Sequence, residues 1–249
     1  MTSRTLLSAM LLSLVLAWAS CTSDRTPTQI SSQAAEQVQG KSADSPAGKI
    51  NIKALPRPGT WMNAPKDFKI LLEDSFSITA SAKTDIYNDA ESGARTATAP
   101  MLVFPADDTF VLTAAVTVDF KQEYDGGFLI VYSDPDHWAK LLFEKSHYGT
   151  FSVCSNVTNV NPDDSVNTDA PGKEVFLRLT RAKDIFGFYY SFDGKKWAYI
   201  RYFKFPLKGP VNVGFASQSP SGEQCTTVFS KVSYSPKAVK DFWTGEPIP

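Results

Sequence analysis

From Phe68 onward, short runs of alternating apolar and polar residues follow one another, and turn-forming Gly, Pro, Asn and Asp separate the runs. Period two predicts β-strands that bury one face, because successive side chains along a strand point to opposite sides of the sheet. The runs include "FVLTAAVTVDF", "GFLIVYS", "WAKLLFE", "TFSVCSNVT", "EVFLRLTRA", "FGFYYSF", "VNVGFASQ" and "CTTVFSKVSY"; with the shorter ones they predict about eleven strands. In the first, Leu112, Ala114, Val116, Val118 and Phe120 share one side, against Val111, Thr113, Ala115, Thr117 and Asp119 on the other. No segment keeps a helical period with caps, and a parallel sheet would need helical crossovers. The pattern therefore predicts an all-β fold, a two-sheet antiparallel sandwich of jelly-roll type.

One strand departs from the usual division of faces. "WAKLLFE" sends Ala139, Leu141 and Phe143 to one side and Trp138, Lys140, Leu142 and Glu144 to the other. A solvated face would carry Thr, Ser and Lys, whereas an indole in line with an ammonium and a carboxylate suits a saccharide. The sugar stacks its apolar face on the ring and directs its hydroxyls at the charged groups. The structural alternative is a weak surface ion pair between Lys140 and Glu144, with Trp138 capping the sandwich edge. Tyr189, alternating with Ser191 and Asp193 on a neighbouring strand, and Tyr87, in a long segment near 84–100, extend the candidate surface. That segment and "NVNPDDSVNTDAPG", near 159–172, are predicted as long loops of the kind that rim ligand sites. "SFDGKKW" predicts a tight hairpin at Asp193-Gly194, which is architecture.

The ends change the picture. Residues 1–20 hold Arg4 and then "LLSAMLLSLVLAWAS", too short for a membrane span and patterned as an export signal peptide. Small residues before Cys21 resemble a lipoprotein box, and lipidation of Cys21 would leave Cys154 and Cys225 as an even pair that a disulfide would join if their strands neighbour one another. Ordinary secretion after Ala19 is the alternative. Residues 21–56 read as a disordered tether, 57–237 as the sandwich and 238–249 as a tail. The expected location is the cell envelope, periplasmic or outer surface, with the lipid membrane met only through the N-terminal anchor. Charge is balanced, 25 basic against 26 acidic residues with no basic cluster, which argues against nucleic acid as a partner.

Several motifs occur together in one order: "WMNAP" (Trp61, Asn63, Pro65), "TDIY" (Asp85, Tyr87), "YDGGFLI" (Asp125), "WAKLLFE", "LRLTR" (Arg178, Arg181), "YSFDGKKW" (Trp197) and "VGFASQSPSG" (Gly214, Ser219, Pro220). In that order they resemble the regulation-of-enolase family, domain of unknown function 1349, grouped with the concanavalin A-like lectins and glucanases. The resemblance spans about residues 61 to 235. It implies a concanavalin A-like jelly roll and no particular reaction. Gly126 stands where the family usually has Gln, Leu142 where it has a small residue, and Tyr87 where it has Trp.

The glucanase branch implies a test of catalysis. Its Glu-x-Asp-x-x-Glu strand is matched by Glu123 and Asp125 but broken at Phe128. Asp125 and Glu144 remain a carboxylate pair for glycoside hydrolysis if they face each other across a hairpin. With His137 and His147 as the two histidines, metal clusters built on histidine are excluded. Asp134, Asp136, Asp163 and Asp164 suit a structural calcium, although Asp is common in turns for its own reasons; no cofactor is expected. The leading expectation is a non-catalytic saccharide- or glycan-binding module using Tyr87, Asp125, Trp138, Lys140, Glu144 and Tyr189. The alternatives are a hydrolase acting through Asp125 and Glu144, and a protein-interaction module of the envelope.

Overall fold

The computed structural model describes residues 48–248. The expected signal peptide, Cys21 and most of the tether lie outside the described residues. Sixteen strands form, and none of the described residues is helical. One seven-stranded sheet runs in the order β1 (Thr60–Met62), β6 (Met101–Pro105), β15 (Asn212–Gln218), β8 (Gly126–Asp134), β9 (His137–Lys145), β10 (Phe151–Asn159) and β11 (Asn161–Asp169). The second, also seven-stranded, runs β14 (Ala198–Lys204), β13 (Ile185–Ser191), β12 (Glu174–Ala182), β7 (Thr109–Val118), β16 (Gln224–Ser235), β3 (Ser75–Ser81) and β2 (Asp67–Leu72). A two-stranded excursion, β4 (Ile86–Asn88) with β5 (Arg95–Ala97), completes the set.

The two large sheets pair antiparallel throughout and bury one apolar layer between them, as the alternation predicted. From β7 come Leu112, Ala114, Val116 and Val118, and from β9 Ala139, Leu141 and Phe143. Phe76, Phe215 and Phe229 meet at its centre with ring centroids 5.0 to 5.4 Å apart. The alternate residues of β9 face outward. There Trp138 and Leu142 join Ile86, Ala99, Met101, Phe128 and Ile130 in a second apolar cluster on the outer face of the first sheet.

Four segments differ from expectation. The segment near 84–100 is folded back as the β4–β5 hairpin, and its Ile86 and Ala99 cover the second cluster. The stretch near 159–172 is largely an edge strand, β11, paired with β10 through a turn in which Val160 takes a positive φ of 66°. Its side chains are mostly exposed on both faces, so no alternation announces it. The folded part also begins before residue 57: Ile50 and Gly59 exchange backbone hydrogen bonds of 2.8 Å, and Ile52 and Leu55 enter the main core. At the other end, Val239 is buried, and the carbonyls of Phe242 and Gly245 accept hydrogen bonds from Tyr189 and Arg178 of the second sheet.

Candidate functional site

The outer face of the first sheet carries a cavity of about 640 Å³, beside the second apolar cluster. Register builds its floor. Lys140 on β9 lies opposite Asn156 on β10, which lies opposite Asp164 on β11; one step along, Leu142, Cys154 and Val166 form the next row. Glu144 follows on β9, opposite Gly126. The walls come from Asp85 just before β4 and Tyr87 on it, Tyr124 before β8, His147 after β9, Gln218 at the end of β15, and Pro220 and Ser221 after it.

Lys140 is 4% exposed, and its ammonium is fully occupied. It donates to Ile86 O at 2.7 Å, Gln218 Oε1 at 3.1 Å and Asp85 Oδ1 at 3.4 Å, and lies 5.3 Å from the centroid of Phe128. Gln218 is held in the matching orientation because its Nε2 donates to Tyr124 O at 3.0 Å. The lysine thus ties the excursion and the end of β15 to the sheet.

Glu144 is 9% exposed and receives a hydrogen bond of 3.3 Å from the Cys154 thiol. Burial pushes its carboxyl above the usual range, Lys140 opposes the shift, and Asp85 and Asp164 add to it. Asp164 is likewise raised, first by burial, although Tyr87 and Asn156 both donate to it. The Asn156 amide is aligned for this by Thr158, whose hydroxyl donates to its Oδ1 at 3.2 Å.

Several expected site residues lie elsewhere. Trp138 is on the predicted face but only 1% exposed, buried under the excursion, so it offers no ring to a ligand. Asp125 is fully buried in the turn before β8, where Lys121 N, Gln122 N and Ser219 Oγ donate to it at 3.0, 2.8 and 2.7 Å. Gly126, not Asp125, pairs with Glu144. Tyr189 belongs to the second sheet, is 0% exposed, and donates to Phe242 O at 2.6 Å; burial raises its pKa to about 12. Cys154 and Cys225 are free thiols on strands of different sheets, so the condition set for a disulfide, that their strands neighbour one another, is not met. The calcium candidates face protein partners: Asp134 meets His137, Asp136 meets Arg95, Asp163 meets Arg201 and Asp164 meets Asn156.

Residues 61–237 match the family model described as a protein of unknown function, DUF1349. The chain belongs to this family. It is 26% identical over 178 residues to "Regulation of enolase protein 1" of Saccharomyces cerevisiae, covering 70% of this chain and 88% of the relative. A solved structure of a functionally unknown protein from Saccharomyces cerevisiae superposes with a TM-score of 0.66 at 26% identity, over 71% of this chain and 95% of that one. The GH43 protein BlXynB of Bacillus licheniformis aligns at a TM-score of 0.51 and 13% identity, over 68% of this chain and 39% of that one, and shares the fold alone. The sandwich is concanavalin A-like, as the motifs implied.

In this DUF1349 member Gly126 makes room for the site. A Cβ there would lie 2.8 Å from Leu142 Cδ1 and 3.1 Å from Glu144 Cβ. Asn156, Gln218 and Tyr124 join the site without having been singled out. Asn156 had a signal in the sequence, as the middle of three polar or thiol side chains on one face of "CSNVT", between Cys154 and Thr158. Gln218 and Tyr124 had none.

Proposed function

We propose that this domain binds a saccharide in the cavity beside β9, β10 and β11, without chemical turnover. The observation that carries the reading is the lining. Leu142, Val166 and Pro220 supply apolar surface, while Glu144, Asp164, Ser165 and the Tyr87 and Tyr124 hydroxyls supply directional hydrogen-bonding groups around a space of about 640 Å³. That size and that mixture suit a small polyhydroxylated ligand. Hydrolysis through Asp125 and Glu144 is not supported, because the Asp125 carboxylate is committed to its own turn and to Ser219.

Glycan-array binding of the purified protein beside Val166→Trp tests the reading. Val166 is 49% exposed on an edge strand, so an indole there fills the cavity without entering the core. Binding that Val166→Trp abolishes supports the cavity. A blank array refutes the reading, and binding that survives the substitution places any saccharide elsewhere. We further propose that the domain is displayed at the cell envelope through lipidated Cys21. Metabolic labelling with a radioactive fatty acid, lost in Cys21→Ala, is the expected result; equal labelling or none refutes it.

A further inference from the structure

The cavity holds more carboxylate than its own cation neutralises. Lys140 has three N–H donors, and all three have acceptors in Ile86, Gln218 and Asp85. Among the described residues, Glu144 is bonded by the Cys154 thiol and Asp164 by Asn156 and Tyr87, none of them a cation. Nearby Arg201 is engaged by Asp163 at 3.1 Å. Glu144 is the more telling of the two. It is nine-tenths buried and lines the cavity, its Oε1 meets only a weak S–H donor, and its Oε2 has no hydrogen-bond partner among the described residues.

Such an arrangement calls for a donor-rich, positively charged group from outside the chain. A metal ion is the poorer fit, because among the described residues no group of three or more His, Cys, Asp or Glu is placed to hold one. An ammonium carries three donors and no acceptor, which complements acceptor-only carboxylates, and charge-assisted bonds of this kind are about twice as strong as neutral ones. Leu142 and Val166 beside the carboxylates leave apolar wall for the body of the ligand.

We propose that the cavity selects a saccharide bearing a protonated primary amine, an amino sugar or its oligomer, over the neutral sugar, with the ammonium held by Glu144 and Asp164. The proposal rests on the saccharide reading above and adds the charge of the ligand.

Calorimetric titration of the full-length protein at low salt tests it with four probes: the disaccharide of glucosamine, its N-acetylated counterpart, cellobiose and the sugar-free diamine putrescine. The glucosamine disaccharide is expected to bind at least about tenfold more tightly than either neutral disaccharide, a difference one well-placed ion pair supplies. Glu144→Gln should reduce the preference to less than about threefold by the same arithmetic. Asp164→Asn, at an exposed edge-strand position, gives a second variant whose folding is not at risk from a core change. Neutral disaccharides binding as well as the amine would overturn this inference and leave the saccharide reading standing. Putrescine binding as tightly as the amino sugar would overturn the saccharide part, and no binding by any probe would overturn both.

Discussion

Replacing Lys140 with Met removes one ammonium from beneath the excursion and tests whether that ammonium organises the site. The methionine roughly preserves the stem that packs against Phe128 and Trp138, so the change falls on the charge and its three bonds. Two neutral acceptors, Ile86 O at 2.7 Å and Gln218 Oε1 at 3.1 Å, lose their donor in a buried setting, at a cost of about 1–3 kcal/mol each. Asp85 loses its cation at 3.4 Å, but its side chain is 21% exposed and water solvates it, so that loss is small. Against these stands the desolvation of the ammonium, several kcal/mol that the variant no longer bears. The two unsatisfied acceptors together cost about 2–6 kcal/mol and the relieved desolvation offsets part of that, so the balance predicts a net loss of about 1–3 kcal/mol. Urea denaturation followed by tryptophan fluorescence reads this as a lower midpoint at unchanged slope. Hydrogen exchange should then locate the opening in residues 84–99 and at Gln218 rather than in β7 or β12. A variant as stable as the parent, or one whose β7 amides exchange fastest, would refute the assignment of Lys140 as the tie between excursion and sheet.

Other substitutions probe the fold and the electrostatics separately. Gly214→Ala should destabilise by about 3 kcal/mol or more, because the new Cβ would lie 2.0 Å from Leu102 O on the neighbouring strand; an unchanged melting temperature would contradict that close approach. Glu144 has a folded pKa above its unfolded one, so the native state holds the extra proton between them and stability falls as pH rises through that interval. Glu144→Gln should therefore gain on the parent as pH is raised from about 4 toward neutrality, and parallel stability curves would exclude the shift. Burial raises both thiols, Cys225 to about 12, so neither Cys154 nor Cys225 should be alkylated in the native protein and both should be after unfolding without reductant; a disulfide-linked peptide in the mass spectrum would refute this. Tyr189→Phe deletes the bond to Phe242 O and should cost about 1 kcal/mol, measured by the same urea titration, with no cost meaning that the C-terminal segment does not stay docked.

Local pattern carried the sandwich and stopped at the site. The alternation of β7 and β9 named the residues that face the shared core, down to Ala139, Leu141 and Phe143, because a side-chain period of two leaves no other assignment once one face is core, but it did not foresee that Val111 and Ala115 on the other face of β7 are buried as well. The same alternation placed Trp138, Lys140, Leu142 and Glu144 together on the other face but said nothing of what lies over them. Depth was decided by residues far along the chain: Lys140 meets acceptors 54 and 78 positions away. Trp138 was read as a stacking platform because the segment that buries it looked like a loop. Tyr189 was misplaced because strand order is not written in local pattern: β13 pairs with β12 and β14 of the second sheet, not with β9. Asp125 shows the opposite failure, a carboxylate near the right strand whose turn consumes it.

The two outer faces of the sandwich differ in how completely their polar groups are satisfied, and the proposed reading rests on that contrast. On the second sheet the C-terminal segment closes over polar groups and satisfies them: Arg178 donates to Gly245 O at 2.8 Å and lies 3.7 Å from the Trp197 ring centroid, and Tyr189 is bonded at 2.6 Å. On the first sheet the β4–β5 excursion does the same for Lys140 and then stops short, leaving Glu144 buried and Asp164 on the exposed edge strand, neither bonded to a cation. Both carboxylates are shifted upward, the direction that marks a charged form poorly accommodated by its surroundings. A chain under selection for stability alone would replace Glu144 by an apolar residue continuous with Leu142 and the second cluster, and would gain by it. Under the proposed saccharide reading, a ligand of the right charge relieves this unfavourable environment of the free protein.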